Sequence, residues 1–159
     1  MEATLVRSSA PGEVTGFFGT RFTVDDVWEP TAGDVLAVPG GGDGLINNAQ
    51  VLDGLKRAHQ AGVTVAGVCT GVMVLSAAGL TSGRACTTHS HAKAELAAQG
   101  GKVIDARVVD EGDLVTAGGV TSGIDLALWL LTRASGPAVA LGVESIMEYE
   151  RRDTVRRSS

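Results

Sequence analysis

The chain has 159 residues, 44% hydrophobic and 19% charged, which is enough apolar material for the core of one domain over residues 1–159. A formal net charge of −5 argues against a nucleic-acid surface. No apolar run has the length of a membrane span, and two cysteines give neither a disulfide framework nor zinc spacing. We therefore expect a soluble cytoplasmic protein with no nucleic-acid or membrane partner, no metal and no cofactor. Only the tail is basic, and we expect its arginines to be solvated: Arg151, Arg152, Arg156 and Arg157.

The first part of the chain predicts short strands separated by turns. Residues 3–7 predict one strand, and residues 14–28 predict a strand pair with a turn at Gly19. Residues 34–38 (DVLAV) form a mostly apolar run, typical of a buried parallel strand. The run ends at a glycine-rich loop over residues 39–42, where backbone can approach a ligand closely.

A predicted helix over residues 49–61 leads into the central feature of the sequence, VTVAGVCTGVMVLSAAG over residues 63–79. There a β-branched apolar run meets a helix-like run at Cys69, which predicts a strand, a sharp turn and a helix. The segment GVCTG is a cysteine version of the G-x-S-x-G nucleophile elbow. Unpaired N–H groups at the helix N-terminus would favour the thiolate. Cys69 is thus a candidate nucleophile, and the alternative is a buried cysteine acting as a small hydrophobic residue.

The rest of the chain alternates between predicted strands and predicted helices. Strands are predicted over residues 84–88, 103–109 and 114–117, and helices over residues 92–99, 123–133 and after Pro137. This alternation predicts an α/β fold with a largely parallel sheet and helices on both faces. Ligands of such sheets bind beyond the carboxyl ends of the strands. Three loops fit that description: residues 39–43, the Cys69 turn and residues 118–121.

The three histidines admit several interpretations. His89 and His91 follow a predicted strand and could bind a metal, although no third ligand has suitable spacing. Either could instead serve Cys69 as a general base, because such partners meet in space rather than along the chain. His59 lies on a polar helix face, so we expect solvent to be its partner.

Two further residues stand at predicted helix starts. Asp125 lies three residues after a serine in a capping-box-like pattern, which favours a structural role. Thr70 directly follows the candidate nucleophile. Its N–H could donate to a developing negative charge and its hydroxyl could orient a substrate, or it could cap the helix.

Four segments carry a resemblance to a known family: PGGGDG (39–44), AGVCTGVMVLSAAGL (66–80), ACTTH (85–89) and VTAGGVTSGIDLALWLL (115–131). Together they resemble the DJ-1/PfpI superfamily, and within it the isonitrile hydratase-like branch and the amidase-like domains of AraC-type regulators. The resemblance covers residues 3–149. It implies a flavodoxin-like three-layer sandwich, commonly a homodimer, with Cys69 as the nucleophile.

The resemblance also implies a reaction, because the threonine after the cysteine favours the isonitrile hydratase-like branch over members with histidine there. The thiolate would add to an isonitrile, and water would release an N-substituted formamide from the cysteine thioimidate. We expect catalysis by Cys69 and Thr70. The residues expected to bind the small-molecule substrate are Gly41, Gly42, Gly118, Gly119, Val120 and Thr121. The alternatives are a non-catalytic ligand-binding domain of the regulator kind and an enzyme acting on glyoxals.

One departure from the family concerns its acid. Members of the superfamily begin with a central strand and a helix, and the loop between them carries the carboxylate that pairs with the cysteine. This chain starts at what resembles the second strand, so we expect a fragment or a variant with an incomplete site. We also expect an exposed sheet edge where the missing strand would pair.

Overall fold

The computed structural model describes residues 2–16, 18–41, 43–152 and 155–157. The described helices are α1 (Ala49–Gln60), α2 (Gly71–Ala77), α3 (Lys93–Ala98), α4 (Ser122–Ser135) and α5 (Pro137–Ile146). The described strands are β1 (Val6–Arg7), β2 (Gly12–Thr15), β3 (Arg21–Val24), β4 (Asp26–Val27), β5 (Val35–Val38), β6 (Thr64–Val68), β7 (Ala85–Cys86), β8 (Lys102–Val103), β9 (Val108–Asp110), β10 (Leu114–Ala117) and β11 (Val155–Arg157). None of these helices has the length and apolar character that crossing a membrane requires.

The central sheet has five strands in the order β11-β9-β10-β6-β5. Strands β5, β6 and β10 run parallel, β9 is antiparallel to β10, and β11 is parallel to β9. The predicted α/β class with a largely parallel sheet is therefore confirmed. The other strands pair in twos, including the predicted hairpin of β2 and β3. Strand β5 is one edge of the sheet, and Val35 on it is 42% exposed, in agreement with the expected open edge.

Two clusters of buried side chains show that helices cover both faces of this sheet. Successive residues of a strand point to opposite faces. Val65 of β6 packs with Leu55 of α1 and Leu75 of α2, whereas the next residue, Ala66, packs with Leu126 of α4. The predicted three-layer sandwich is thus confirmed, with β6 between the two layers of helices.

The glycines beside Cys69 allow β5, β6 and α2 to approach one another. A Cβ on Gly71 would lie 2.2 Å from the carbonyl oxygen of Val38. A Cβ on Gly67 would lie 2.9 Å from the Cδ1 atom of Leu75. Both distances are shorter than real Cβ contacts. The strand-turn-helix unit requires glycine at position 71, where the clash is with backbone, whereas a side chain at position 67 would force the Leu75 side chain to move.

Several strands are shorter than predicted. Residues 84–88 form a strand only at Ala85–Cys86, and residues 3–7 only at Val6–Arg7. The predicted strand over residues 103–109 is two strands, β8 and β9. It divides because β8 pairs with β7, whereas β9 pairs with β10 and β11.

The arginines of the tail are exposed as predicted, except Arg151. The structure describes Arg152, Arg156 and Arg157 as exposed, whereas Arg151 is partly buried and pairs with Glu144 at 2.8 Å. The tail is nevertheless not an irregular terminus, because Val155–Arg157 forms β11, which pairs with β9. The Arg157 guanidinium carbon lies 5.1 Å from the ring centroid of Trp129, within cation–π range.

Replacing Gly71 with alanine tests the close approach of β5 and α2. Because the new Cβ would meet the Val38 carbonyl, we expect the free energy of unfolding to fall by about 1–3 kcal/mol or more, measured by urea denaturation. Gly142→Ala in α5 is the matched control, since nothing lies within 4 Å of its new Cβ. That variant should be neutral or more stable by up to about 1 kcal/mol. Equal unfolding midpoints for the two variants would contradict the proposed contact.

Candidate active site

Cys69 stands between the end of β6 and the start of α2 in a backbone conformation that favours glycine. Its φ is +57° and its side chain is half-buried. The other described non-glycine residues with positive φ are Val120, at +27°, and Glu148, at +50°. Such strain persists only where the surroundings enforce it, and it is concentrated at functional sites. Two of these three residues lie in loops at the carboxyl end of the sheet.

Hydrogen bonds from two neighbouring loops hold the Cys69 backbone. Its N–H donates to the carbonyl oxygens of Gly118, at 2.9 Å, and Ala117, at 3.1 Å. Its carbonyl oxygen accepts a hydrogen bond from the Thr88 hydroxyl at 2.7 Å. The turn is therefore fixed by the end of β10 and by the segment after β7.

Gly40 lies against Cys69, so that no side chain fits at this position. A Cβ there would lie 2.8 Å from Cys69 Cβ, 3.2 Å from Cys69 Sγ and 3.4 Å from the backbone nitrogen of Thr70. Within the described part of the chain, no acceptor takes the Thr70 N–H. The sulfur and this backbone donor therefore both lie near Gly40, an arrangement that would suit nucleophilic attack with charge stabilisation.

The sequence interpretation missed Gly40, although it stands in the same PGGG loop as Gly41 and Gly42. Gly41 is joined to Thr70: its N–H donates to the Thr70 hydroxyl at 3.2 Å, and that hydroxyl lies 3.5 Å from the Gly41 carbonyl oxygen. The Thr70 side chain does not cap α2, so the capping alternative is wrong. Gly42 lies outside the described residues.

The loop after β10 approaches Cys69 through Gly118. Gly119 packs under the His89 ring, since a Cβ there would lie 2.6 Å from His89 Cδ2. Val120 is 80% exposed. The Thr121 hydroxyl accepts a hydrogen bond from Arg107 at 3.1 Å. Substrate binding by these four loop residues remains a prediction.

The histidine side chains make contacts of their own. His89 Nδ1 accepts the N–H of His91 at 3.3 Å, which leaves Nε2 to carry the hydrogen of a neutral ring. The two rings are 4.8 Å apart in an edge-to-face arrangement. In the described residues neither histidine bonds to Cys69, and no three His, Cys, Asp or Glu side chains are grouped to hold a metal ion.

The expectation that His59 faces solvent is wrong. Its Nε2 lies 2.8 Å from Asp113 Oδ2, and Arg84 also bonds to that carboxylate. Burial raises the pKa of Asp113, but the hydrogen bond and charge of Arg84, with the charge of His59, outweigh this and leave it below its usual value. Asp113 precedes β10, whereas Cys69 contacts the end of β10, so this cluster lies at the opposite end of the strand.

Asp125 has a structural contact, but not the one that the capping-box pattern predicts. The residue before α4, Thr121, makes no side-chain cap hydrogen bond. Asp125 Oδ2 instead lies 2.5 Å from Arg107 Nη2, and Asp125 is only 1% exposed. A buried carboxylate needs a paired charge and hydrogen bonds, which explains why Arg107 rather than the helix end is its partner.

A proton donor for Cys69 chemistry is not found among the described side chains. No described carboxyl group makes a hydrogen bond to the sulfur. Asp125 is occupied by Arg107 and by the Tyr149 hydroxyl, at 3.2 Å. The side chain of Asp43 lies outside the described residues. That the family's acid has no counterpart in this chain remains a prediction.

Comparison with known proteins identifies the family. The DJ-1/PfpI family profile matches residues 1–133. The chain belongs to the DJ-1/PfpI family. Isonitrile hydratase of Pseudomonas putida is 42% identical over 118 residues, which cover 73% of this chain and 52% of that protein. The HTH-type transcriptional regulator CdhR of Pseudomonas aeruginosa is 32% identical over 142 residues, which cover 87% of this chain and 42% of the regulator.

A solved structure of the DJ-1/PfpI family shares this fold. The crystal structure of a THiJ/PfpI family protein from Pseudomonas syringae matches with a TM-score of 0.84 and 28% identity, covering 93% of this chain and 63% of that one. The chain spans about half the length of the curated relatives it matches. The whole-protein activities of these relatives are therefore evidence for a proposal rather than properties of this chain.

The two cysteines should differ in reactivity. Burial raises the pKa of the Cys86 thiol to about 11, with a smaller contribution from the charge of Glu111, and Cys86 is 0% exposed. We expect iodoacetamide at neutral pH to modify Cys69 well before Cys86, as measured by peptide mass spectrometry. Modification in urea, where both thiols are exposed, is the control. Equal labelling of Cys69 and Cys86 in the folded protein would contradict the predicted nucleophile elbow at Cys69.

Gly40→Ala tests the close contact between Gly40 and Cys69. The methyl group would clash with Cys69 Cβ and crowd the sulfur, so we expect alkylation of Cys69 to slow by roughly tenfold or more. Gly44→Ala is the control in the following turn, because nothing lies within 4 Å of its new Cβ. If both variants react as fast as the parent protein, this contact does not control the reactivity of the sulfur.

Proposed function

We propose that this DJ-1/PfpI family member is an isonitrile hydratase-like enzyme that uses Cys69 as its nucleophile. The observation that carries the proposal is Cys69 itself, half-buried and held at φ +57°, with its sulfur close to Gly40 and to the backbone nitrogen of Thr70. The 42% identity to an isonitrile hydratase supports this choice of substrate.

The proposed reaction begins with the Cys69 thiolate. Its sulfur forms a bond to the terminal isonitrile carbon, the electron pair that develops on this carbon takes a proton, and the product is a thioimidate, R–N=CH–S–Cys. Water then adds to the same carbon, and a proton reaches the nitrogen. The C–S bond breaks with its electron pair returning to sulfur, which releases the formamide R–NH–CHO and regenerates the thiolate.

Two features of Thr70 serve the proposed reaction. Its backbone nitrogen lies near Gly40 and Cys69, where its N–H stabilises charge that develops during attack. Its hydroxyl accepts a hydrogen bond from the Gly41 N–H, which holds the glycine loop beside the Cys69 turn. Thr70 therefore acts through its N–H and positions the loop through its hydroxyl.

The source of the proton for the isonitrile carbon limits the rate expected of the proposed site. In the described part of the chain no carboxylic acid stands next to the sulfur, so the proton comes from water. A positioned general acid contributes about 10² to 10⁴ in rate. Covalent capture of an isonitrile is consequently expected to be easier than its complete turnover.

A second candidate is a ligand-binding domain of the regulator kind. The supporting observation is that the match to CdhR covers 87% of this chain, more than the 73% covered by the isonitrile hydratase. Such a domain would bind a small molecule near Cys69 without consuming it. Reversible saturable binding with no adduct and no formamide would favour this alternative, and methylglyoxal consumption in a parallel assay would favour a glyoxal enzyme. Homodimer formation also remains a prediction, tested by the mass of the protein in solution.

Incubation with a simple alkyl isonitrile tests the proposed enzyme. We expect a mass increase equal to one isonitrile at Cys69 and slow release of the formamide, measured by intact mass and chromatography. An N-terminal extension that supplies a strand with an Asp or Glu should raise formamide release by about 10² to 10⁴.

Matched variants identify the nucleophile in that experiment. Cys69→Ala should form no adduct, whereas Cys86→Ala should form as much as the parent protein. Full turnover by the 159-residue chain, retained in the Asp43→Ala and Asp125→Ala variants, would contradict the expectation that proton delivery limits the rate of turnover. No adduct in any chain would refute the isonitrile reaction.

A further inference from the structure

Arg107 and Asp125 form an ion pair next to the loop over residues 118–121, which contacts the Cys69 backbone. Arg107 approaches a single oxygen of Asp125 twice, through Nε at 2.7 Å and Nη2 at 2.5 Å. The Asp125 side chain is 2% exposed and that of Arg107 is 24% exposed. Removing one partner of such a pair leaves an uncompensated buried charge, so the two side chains hold each other firmly.

Arg107 makes hydrogen bonds to both ends of the loop over residues 118–121. Its carbonyl oxygen accepts the Gly118 N–H at 3.0 Å, and its Nη2 donates to the Thr121 hydroxyl at 3.1 Å. The Gly118 carbonyl in turn accepts the Cys69 N–H at 2.9 Å. A series of contacts therefore connects Asp125 with Cys69. Asp125 bonds to the Arg107 side chain, the Arg107 carbonyl bonds to Gly118, and the Gly118 carbonyl bonds to Cys69.

The second oxygen of Asp125 is held from another direction. The Tyr149 hydroxyl lies 3.2 Å from Oδ1, and the Arg152 backbone N–H lies 3.3 Å from the same atom. Both contacts come from the C-terminal segment, beyond residues 1–133 that match the family profile. The carboxylate thus joins the loop beside Cys69 to a part of the chain outside that match.

We propose that Arg107 and Asp125 are positioning residues for Cys69. They do not touch the reacting atoms. They fix Gly118, and the Gly118 carbonyl keeps Cys69 at φ +57° with its sulfur beside Gly40. A strained residue relaxes when its surroundings no longer enforce its conformation, so loosening the pair turns the sulfur away from Gly40 and the Thr70 N–H. This inference depends on the proposed nucleophilic role of Cys69, but not on the isonitrile as substrate.

The test compares Asp125→Asn with Asp110→Asn. Asp110 is a matched control because it is also buried, at 5% exposure, and pairs with an arginine, Arg133, at 3.3 Å. It accepts further hydrogen bonds from Trp129 and Gly112, and none from the loop over residues 118–121. Both changes remove a buried charge at nearly constant size, so they carry a similar structural disturbance.

The readout is the second-order rate constant for iodoacetamide at Cys69, measured across pH on protein whose folded fraction is verified by circular dichroism. We expect Asp125→Asn to slow the reaction by roughly tenfold or more and to shift the pH midpoint of the rate. Asp110→Asn should leave both unchanged. Arg107→Lys should react at an intermediate rate, because lysine keeps the charge but cannot bridge Asp125 and Thr121 together.

A folded Asp125→Asn variant with the parent rate and midpoint would overturn the proposal, as would an equal effect of Asp110→Asn. If Asp125→Asn does not fold, Thr121→Val and Arg107→Lys decide: slower alkylation in both supports the proposal, and the parent rate in either one overturns it. Slow alkylation of Cys69 in the parent protein would instead refute the proposed nucleophile. The two proposals therefore fail in different ways.

Discussion

The backbone of Cys69 is the constraint around which the rest of the site is arranged. A non-glycine residue held in an unfavourable backbone region costs about 1–3 kcal/mol. The hydrogen bonds that Cys69 makes with Gly118 and Thr88 each stabilise the folded protein by about 1 kcal/mol. The strain is therefore offset locally, by contacts from two loops that are far apart in the sequence. This arrangement directs the sulfur toward Gly40 instead of into the core.

The same constraint explains why small residues surround the cysteine. For the sulfur to stand at the surface of the sheet's end, β5 and α2 must come almost into backbone contact. Gly71 permits that contact with Val38, and Gly40 permits the glycine loop to lie against Cys69. A side chain at either position would collide with these neighbours and displace them. The packing around Cys69 therefore requires glycine at both positions, whatever the proposed reactivity of the sulfur.

Features with local signals could be predicted from the sequence. Alternating apolar segments predicted the α/β sandwich, α1 was expected over residues 49–61 and spans Ala49–Gln60, and the small residues around Cys69 predicted its sharp turn. What could not be predicted depends on pairing between distant segments. The Arg107–Asp125 and His59–Asp113 contacts and the addition of β11 to β9 leave no periodic pattern, because they are decided only when the sheet has assembled. The missed role of Gly40 has the same cause.

In the proposed reaction, the described carboxylates bear differently on the positioning of the thiol and on the delivery of a proton. Asp125 is the buried carboxylate behind the Gly118 loop, yet its oxygens accept hydrogen bonds from Arg107, Tyr149 and the Arg152 backbone. An ionised carboxylate in such contacts is an acceptor only. It can hold the loop that strains Cys69, but it has no proton to give to a substrate carbon. If Cys69 is the nucleophile, as proposed, the described contacts of Asp125 serve to position it and not to supply the acid.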